Sequence, residues 1–501
     1  MSRAERTVKD TAKLYGSQLT AGAFAVVFSA WLARNLPSAE LSLWPVCITL
    51  AAIVQVFSGF GISDLFVRLV PSLLQDKKRE EAGALLRSGL ALNGIAAVLL
   101  TTVVVLAANQ VTVLLLHNEV EPVLVRMLGV AVLFTALYKH VERGLYSVQE
   151  FGKAALIRLV AQILRPSLAV AFYLLIGIKG AILILAAVPF MATVASLISL
   201  WPYLSAWGYP HHPGRVIRQA LPFYGASIAN LGTTRLDYFI VGALTAPAQL
   251  AAYYVARKLA EYLRMLDTSV IEAITPKLAE YQDGGQAKIE DGFTRCWRYL
   301  FIGLLPIHVG LAVTAGPIVQ LYAGGRYPAA GLIMSLLVMA FFVGTVASLH
   351  RAHIKVFANR WHLTALDGTA GLVSLGLSVG FVLWLGGIGV PLAQTVAYIG
   401  RGALAIMLLR RVFSLRYDTR VLWLSGIGSG LVAAVGIVCV MAIPGLWSLP
   451  ATIVLGTGVY FAALIGRLTR EDTNLLLRLM PFRFVSRIAG LLCRPATESS
   501  S

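Results

Sequence analysis

Long apolar runs recur along the whole chain, and each is about 20 residues long, enough for a helix to cross the hydrocarbon core of a bilayer. Lipid offers no hydrogen-bond partner to the backbone, so a spanning segment must be a helix or part of a closed barrel. The short alternating strands of a barrel are missing from the sequence. The runs therefore predict an all-α polytopic membrane protein.

The number of runs predicts fourteen transmembrane helices. Only 13% of the residues are charged, whereas a soluble domain carries about 25%, so a water-soluble core would not absorb this apolar surface. The predicted helices cover residues 14–34, 41–62, 85–108, 122–138, 154–177, 180–202, 219–244, 247–273, 299–320, 328–349, 362–385, 388–409, 421–443 and 448–466.

The basic residues are distributed unevenly among the predicted loops. The net charge is +18, but the cations form short clusters between apolar runs, and Lys and Arg are enriched on the cytoplasmic side of membrane proteins. With the N-terminus inside, every second loop is basic, which predicts cytoplasmic N- and C-termini and no nucleic-acid partner. Four cations fall outside (Arg34, Arg126, Lys179, Arg326) and six fall within helices (Arg165, Arg235, Arg257, Lys258, Arg264, Arg401).

A short internal repeat predicts two lobes. Tyr15-Gly-Ser-Gln aligns with Tyr224-Gly-Ala-Ser at an offset of 209, and the same offset places Ala39-Glu-Leu on Ala248-Gln-Leu. The offset spans six predicted helices, an even number, so the two copies share their orientation. We predict a parallel repeat of two six-helix lobes, residues 1–210 and 211–415, then a terminal helix pair at 416–470 and a basic cytoplasmic tail at 471–501.

Charged residues concentrate in the seventh and eighth predicted helices. A charge at the bilayer centre costs roughly 2.5–3.5 kcal/mol on insertion scales, so it should face a partner or a cavity. Folding the hairpin near Ala246 brings Asp237 to the depth of Arg257 and Lys258, with either of which it could pair. The hairpin carries Arg235, Asp237, Arg257, Lys258, Glu261, Arg264, Asp267 and Glu272.

Two interpretations of these charges stay open. The four cations and four carboxylates could neutralise one another, or they could line a cavity for an anionic head group, because the planar guanidinium of arginine matches phosphate. Arg165 and Arg401 are further cavity candidates, against snorkelling or a local salt bridge. The sequence offers no catalytic, cofactor or metal site, since the four cysteines are scattered singly and no phosphate-binding loop motif occurs.

The run Arg235-Leu-Asp-Tyr-Phe-Ile-Val-Gly-Ala-Leu, followed by Ala248-Gln-Leu-Ala-Ala-Tyr-Tyr-Val-Ala-Arg-Lys-Leu, resembles the Wzx-type flippases of polysaccharide biosynthesis. These belong to the multidrug/oligosaccharidyl-lipid/polysaccharide (MOP) exporter superfamily. Arg143-Gly144 and Leu321-Tyr-Ala-Gly-Gly-Arg-Tyr-Pro also resemble family features. The resemblance covers roughly residues 8–470.

The resemblance implies a MATE-like fold and a non-enzymatic transporter in the bacterial inner membrane. It would move an undecaprenyl-diphosphate-linked oligosaccharide to the outer leaflet, beside membrane lipids and a glycan polymerase or glycosyltransferase. The resemblance implies diphosphate or acidic-sugar contacts at Arg235, Arg257, Lys258 and Arg264, and partners or coupling groups at Asp237 and Glu261. From their positions inside helices we add Arg165 and Arg401 as candidate cavity residues and Asp267 as a candidate coupling group or charge partner.

Three other functions compete with this prediction. A MATE-like drug or cation exporter commonly needs a carboxylate in the first lobe, and the first two predicted helices contain none inside the membrane. A peptidoglycan-precursor flippase would show cavity arginines in the first lobe, whereas Arg34 sits at the outer end of its helix. A membrane polysaccharide polymerase or ligase would need a large outer loop carrying acid and base groups, and the outer loops here are short.

Overall fold

The computed structural model describes residues 22, 24–206, 213–280, 285–357, 360–410, 415–443 and 445–464. Within these ranges the chain is helical and contains no strand, as predicted. The first copy of the repeat at Tyr15 and the tail at 471–501 lie outside the described residues. The helices are α1 (24–35), α2 (Ser38–Gly59), α3 (Ile62–Gln75), α4 (Arg79–Leu106), α5 (Ala108–Leu116), α6 (Pro122–Ser147), α7 (Phe151–Ile176), α8 (Ile178–Leu204), α9 (Pro213–Thr234), α10 (Leu236–Leu244), α11 (Pro247–Glu280), α12 (Gly285–Tyr299), α13 (Leu305–Val313), α14 (Ala315–Ala323), α15 (Pro328–Phe357), α16 (Arg360–Leu385), α17 (Gly389–Leu409), α18 (Thr419–Ala442) and α19 (Ser448–Leu464).

Ten stretches of the described chain are long and apolar enough to cross a membrane. One of them, Ala365–Leu409, spans both α16 and α17 and the 3₁₀ turn Gly386–Ile388 between them. The charged helices α9, α10 and α11 are not among the ten. The multi-pass membrane architecture is therefore confirmed, whereas the count of fourteen spanning helices stays a prediction.

The chain divides into two compact units, and the boundary falls inside α11 between Tyr254 and Val255. The first unit comprises the described residues up to Tyr254 together with Leu375–Gly387. Within it, α6 packs against α2, α3, α4 and α8, while α9 packs against α2, α3 and α4. Its buried apolar centre includes Ile62, Phe66, Leu86 and Leu145.

The second unit comprises the described residues of Val255–Ser374 and those from Ile388 onward. Within it, α15 packs against α13, α14 and α17, and α18 packs against α13 and α19. Its buried apolar centre includes Phe293, Leu300, Phe301 and Val432. The two units are groups of residues in mutual contact and do not test the predicted lobes. The lobe boundaries at 210 and 415 stay a prediction.

Two helix irregularities place side chains that matter below. The predicted seventh helix is broken at Arg235, whose backbone (φ −137°, ψ −24°) separates α9 from α10. A π-helical turn, Leu300–Leu304, joins α12 to α13. Such turns insert an extra residue into a helix and are frequent at functional sites. Because Pro306 has no N–H, the Ile302 carbonyl loses its usual helical donor.

Glycine allows the close approach of α4 to α3. A Cβ added at Gly89 would lie 2.6 Å from Cε1 of Phe66 and 2.7 Å from Cγ2 of Ile62. Both of these side chains are fully buried, so they have little room to move. At Gly94, also in α4, the nearest atom is 3.9 Å away on Leu137.

We expect Gly89→Ala to lower the melting temperature of the detergent-solubilised protein, because overpacking a core costs about 1–3 kcal/mol. Gly94→Ala is the matched control and should leave the melting temperature unchanged or slightly higher, since alanine favours the helix. Equal melting temperatures for the two variants would contradict the described packing of α3 on α4.

Candidate functional site

One face of α11 carries a run of charged side chains that begins at the buried Arg257. Arg257, Glu261 and Arg264 follow one another at i+4 and i+7, which places them on the same side of the helix. Arg257 is 1% exposed, and its Nε lies 3.7 Å from Oε1 of Glu261. Lys258 Nζ lies 3.7 Å from Oε2 of the same carboxylate. Glu261 therefore lies between two cations, at the same 3.7 Å distance from each.

An aromatic ring lies beside the two arginines of this face. The guanidinium carbons of Arg257 and Arg264 lie 5.8 and 5.2 Å from the ring centroid of Phe341 on α15. A cation within about 6 Å of a ring face is stabilised by its quadrupole. Arg264 has this ring contact and no side-chain hydrogen bond or ion pair to any described residue. Its charge is thus held by a ring and not neutralised.

A second group of charges joins α15, α16 and α17. Arg351 Nη2 lies 2.7 Å from Oδ2 of Asp367, and Arg401 Nη1 lies 3.9 Å from Oδ1. Arg401 also donates to the Gly344 carbonyl at 3.2 Å. Arg264 is near enough for its charge to act on Arg401, which connects this group to the α11 face.

We call these seven side chains the cation cluster: Arg257, Lys258, Glu261, Arg264, Arg351, Asp367 and Arg401. It holds five cations and two carboxylates. Asp267, the other candidate carboxylate of α11 in this unit, lies against His308 on α13, with Oδ2 and Nε2 3.2 Å apart. The cluster as defined therefore keeps an excess of positive charge.

Three candidate residues lie in the first unit. Asp237 on α10 is buried and accepts a 2.6 Å hydrogen bond from the Tyr253 hydroxyl. The backbone carbonyl of Arg235 accepts a 3.4 Å bond from Thr49. Arg165, in the middle of α7, interacts electrostatically with Cys47 and Tyr254 and forms no ion pair with a described residue. The pairing of Asp237 with Arg257 or Lys258 stays a prediction.

A different charge network in the first unit provides a contrast. Buried Glu142 on α6 accepts hydrogen bonds from Arg158 Nε at 2.8 Å, Tyr138 at 3.0 Å and Lys139 at 3.1 Å. Arg158 on α7 also donates to Tyr146. Both cations of this network bind the carboxylate directly, which is the arrangement expected of a structural ion pair.

The sequence reasoning missed the partners Arg158, His308 and Asp367. Arg158 lies sixteen residues beyond Glu142 and on the next helix, so helical spacing cannot connect them. His308 is an isolated polar residue in an apolar run, which was the one available signal. Arg235, Arg257, Lys258, Arg264, Arg165 and Arg401 stay predictions as ligand contacts, as do Asp237, Glu261 and Asp267 as partners or coupling groups.

The comparisons with known proteins agree with this architecture. The family model described as a polysaccharide biosynthesis protein matches residues 31–332. The structure of the lipid II flippase MurJ in an inward closed conformation has a TM-score of 0.73 at 14% identity, covering 90% of this chain and 97% of that chain. An inward-facing multidrug resistance MATE family transporter of the MOP superfamily has a TM-score of 0.61 at 14% identity, covering 78% of this chain and 95% of that chain.

A third solved structure, a MOP superfamily transporter from Pyrococcus furiosus described by a reverse polarity of its binding pocket, has a TM-score of 0.54 at 15% identity. That match covers 80% of this chain and 95% of that chain. The search of curated proteins found no match.

The helices and their fold define a multi-pass helical membrane protein whose architecture is similar to those of the lipid II flippase MurJ and a MATE family transporter. The family match covers more than half of the sequence, and the chain belongs to the polysaccharide biosynthesis protein family. The family resemblance and the MATE-like fold class inferred from the sequence are confirmed.

The two charge networks predict different consequences for stability. Arg158→Gln should lower the melting temperature, because breaking a buried pair costs roughly 3–5 kcal/mol, with the lower end expected while Lys139 remains. Arg264→Gln is the matched variant and should have a much smaller effect, since it removes a ring contact worth about 0.5–2 kcal/mol. Thermal unfolding in one detergent measures both. A larger loss for Arg264→Gln would contradict the assignment of the two networks.

Proposed function

We propose that the protein is a flippase that moves an undecaprenyl-diphosphate-linked oligosaccharide from the inner to the outer leaflet of the bacterial inner membrane. The observation that carries the proposal is the cation cluster, where five cations accompany two carboxylates inside a membrane protein. Charge inside a membrane protein is expensive, and the ring contact of Arg264 with Phe341 leaves the charge of this guanidinium in place, so an anionic ligand at Arg264 would compensate it. The polysaccharide family and the fold shared with a lipid II flippase support the proposal.

The chemistry of the cluster suits a diphosphate. Two guanidinium groups, those of Arg264 and Arg401, can each offer a planar pair of N–H donors to phosphate oxygens. Arg264 would exchange its ring contact with Phe341 for these bonds. Lys258, which is 26% exposed, would add a further charge. Arg165 and Arg235, in the first unit, stay proposed contacts of an anionic ligand.

A drug or cation exporter is the competing function, and the sign of the cluster argues against it. A cationic substrate would be repelled by the charge excess, and its exporter would need free carboxylates. Glu261 and Asp367 already contact two cations each. The only acidic residue of the described part of α1 and α2, Glu40, lies in the first turn of α2 and accepts a bond from Tyr173.

The partners follow from the substrate. The lipid-linked oligosaccharide would arrive from glycosyltransferases on the cytoplasmic face and leave for a polymerase on the outer face, with cytoplasmic termini as the basic loops predict. Membrane lipids would surround the apolar helices. The chain has no phosphate-binding loop motif, so transport would draw on substrate supply or an ion gradient by alternating access.

Deleting the gene should strand the lipid-linked oligosaccharide in the inner leaflet and reduce the surface polymer. Accessibility of the glycan to an added probe in right-side-out and inverted vesicles measures the leaflet distribution. An unchanged distribution together with an unchanged surface polymer would refute the flippase assignment. Loss of drug resistance with a normal glycan distribution would support the exporter.

Replacing Arg264 by glutamine should slow flipping by about 10- to 100-fold, since a hydrogen bond to a charged group contributes about 1.5–3 kcal/mol. Arg126→Gln is the control, because Arg126 is an exposed α6 arginine outside the cluster. Transport in proteoliposomes containing equal amounts of each purified variant measures the effect. Normal flipping by Arg264→Gln would remove that residue from the binding site.

A further inference from the structure

Asp267 on α11 and His308 on α13 form a buried pair that the cation cluster does not use. Their side chains are 3% and 0% exposed, and Nε2 of the histidine lies 3.2 Å from Oδ2 of the aspartate. The other ring nitrogen, Nδ1, lies 2.8 Å from the backbone carbonyl of Leu304. Both nitrogens of one imidazole are therefore engaged by oxygen atoms.

The two contacts fix the number of protons. A carbonyl oxygen only accepts hydrogen bonds, so Nδ1 of His308 must carry a proton and donate it to Leu304. The Nε2 contact then needs a second proton, because a lone pair on Nε2 would otherwise face a carboxylate lone pair. That proton is either on Nε2, giving an imidazolium with an ionised Asp267, or on Asp267, giving a neutral carboxyl that donates to Nε2. Both forms contain one proton more than a neutral imidazole and a carboxylate.

The surrounding helices hold the histidine in this orientation. Leu304 ends the π-helical turn, and the Tyr460 hydroxyl donates to the Ile302 carbonyl at 2.7 Å, which replaces the donor that Pro306 lacks. The Phe342 ring packs against the imidazole, with centroids 5.3 Å apart. The imidazole cannot turn over without giving up the Leu304 bond.

Few charged groups lie near the pair on α11 and on the helices that pack against α13. On α11 itself, Arg264 lies three residues and Glu261 six residues before Asp267, and Glu272 lies five residues after it. The helices α14 and α19, which pack on α13, contain no charged residue, and α18 contains only Arg420 in its first turn. The charged and histidine side chains of α15 begin at His350, two turns beyond Phe342. Oδ1 of Asp267 has no hydrogen-bond partner among the described residues.

We propose that the Asp267–His308 pair binds one exchangeable proton and that this proton is the ion coupled to transport. The coupling rests on the proposed function, whereas the proton site itself does not. Loss of the proton to a water molecule, as hydronium, leaves an Nε2 lone pair facing a carboxylate. The resulting repulsion would separate α11 from α13, and α11 carries Arg257, Lys258 and Arg264. Uptake of a proton from hydronium restores the contact.

The sign of the coupling follows from the charges. An anionic ligand at Arg264 would lie close to Asp267 and would favour the state of the pair that carries the additional positive charge. Protonation must then strengthen anion binding by the same factor, because coupling between two sites is reciprocal. Binding of a diphosphate should therefore weaken as the pH rises and the additional proton is lost.

The proton site is tested first without any ligand. The full-length protein, with ¹⁵N-labelled histidine and in lipid bilayers, gives a His308 signal that is assigned by its loss in His308→Phe. Two protonated ring nitrogens, or a protonated Nδ1 with Nε2 accepting a hydrogen bond from a carboxylic acid, would support the site. A neutral ring protonated only at Nε2 and beside an ionised carboxylate, recorded from pH 5 to 9, would overturn it.

The coupling is tested with farnesyl diphosphate as a soluble polyprenyl diphosphate, and farnesol serves as the uncharged blank. In Asp267→Asn the amide N–H replaces the proton as a donor to Nε2, so the contact persists at every pH. The wild-type affinity should fall at least about 5-fold more than that of the variant as the pH rises, at the lower end of typical coupling. Asp418→Asn, a change at the α18 N-cap, is the control and should retain the wild-type pH dependence.

The outcomes separate the two proposals. Equal pH dependence in the wild type and in Asp267→Asn, with normal diphosphate binding, would refute the coupling and leave the proposed function standing. No binding of diphosphate by the wild type would contradict the proposed substrate class and the coupling with it, and the histidine spectrum would still decide the proton site. A pH dependence lost in Asp418→Asn as well would place the effect outside the pair and refute the coupling.

Discussion

The cost of charge inside a bilayer, roughly 2.5–3.5 kcal/mol per residue on insertion scales, governs how this chain uses its polar side chains. A membrane helix keeps a charge only if a partner, a ring or a ligand compensates it. In the first unit Glu142 meets that condition through three direct hydrogen bonds. In the second unit Asp367 binds Arg351 at 2.7 Å and lies 3.9 Å from Arg401, while Glu261 lies 3.7 Å from both Arg257 and Lys258. Arg264 is supported by the Phe341 ring, which leaves its charge in place.

Helix α11 carries charged side chains that are stabilised in three different ways. Glu261 bridges Arg257 and Lys258, the Phe341 ring supports Arg264, and His308 engages Asp267. A rigid helix transmits rotation and translation along its length, so a change at one of these contacts alters the geometry at the others. The proximity of Arg264 to Asp267, three residues apart, makes α11 suited to link an anion and a proton.

The sequence predicted the elements far better than their partners. Apolar runs and alternating basic loops were enough to predict the helical membrane architecture, because backbone groups in lipid must form their hydrogen bonds within the segment. The spacing of i+4 and i+7 was enough to predict that Arg257, Glu261 and Arg264 share one face of the helix. The neighbours Asp367, Arg401 and His308 come from other helices, and helical periodicity contains no information on which helix lies opposite. The break at Arg235 was not predicted either, since the position itself holds neither proline nor glycine and Gly232 lies three residues before it.

Fold alone does not choose between a flippase and a drug exporter, because the same architecture serves both kinds of protein. We base the proposed choice between them on the charge of the cation cluster. A cation exporter must present carboxylates that can release their partners, whereas Glu261 and Asp367 each contact two cations and Arg264 is supported by a ring. Arg264 is decisive in this respect, since an aromatic ring stabilises a cation without cancelling its charge. A guanidinium held in this way keeps its attraction for an anion while the protein stays folded without a ligand, and for this reason we propose a diphosphate-linked glycan as the substrate.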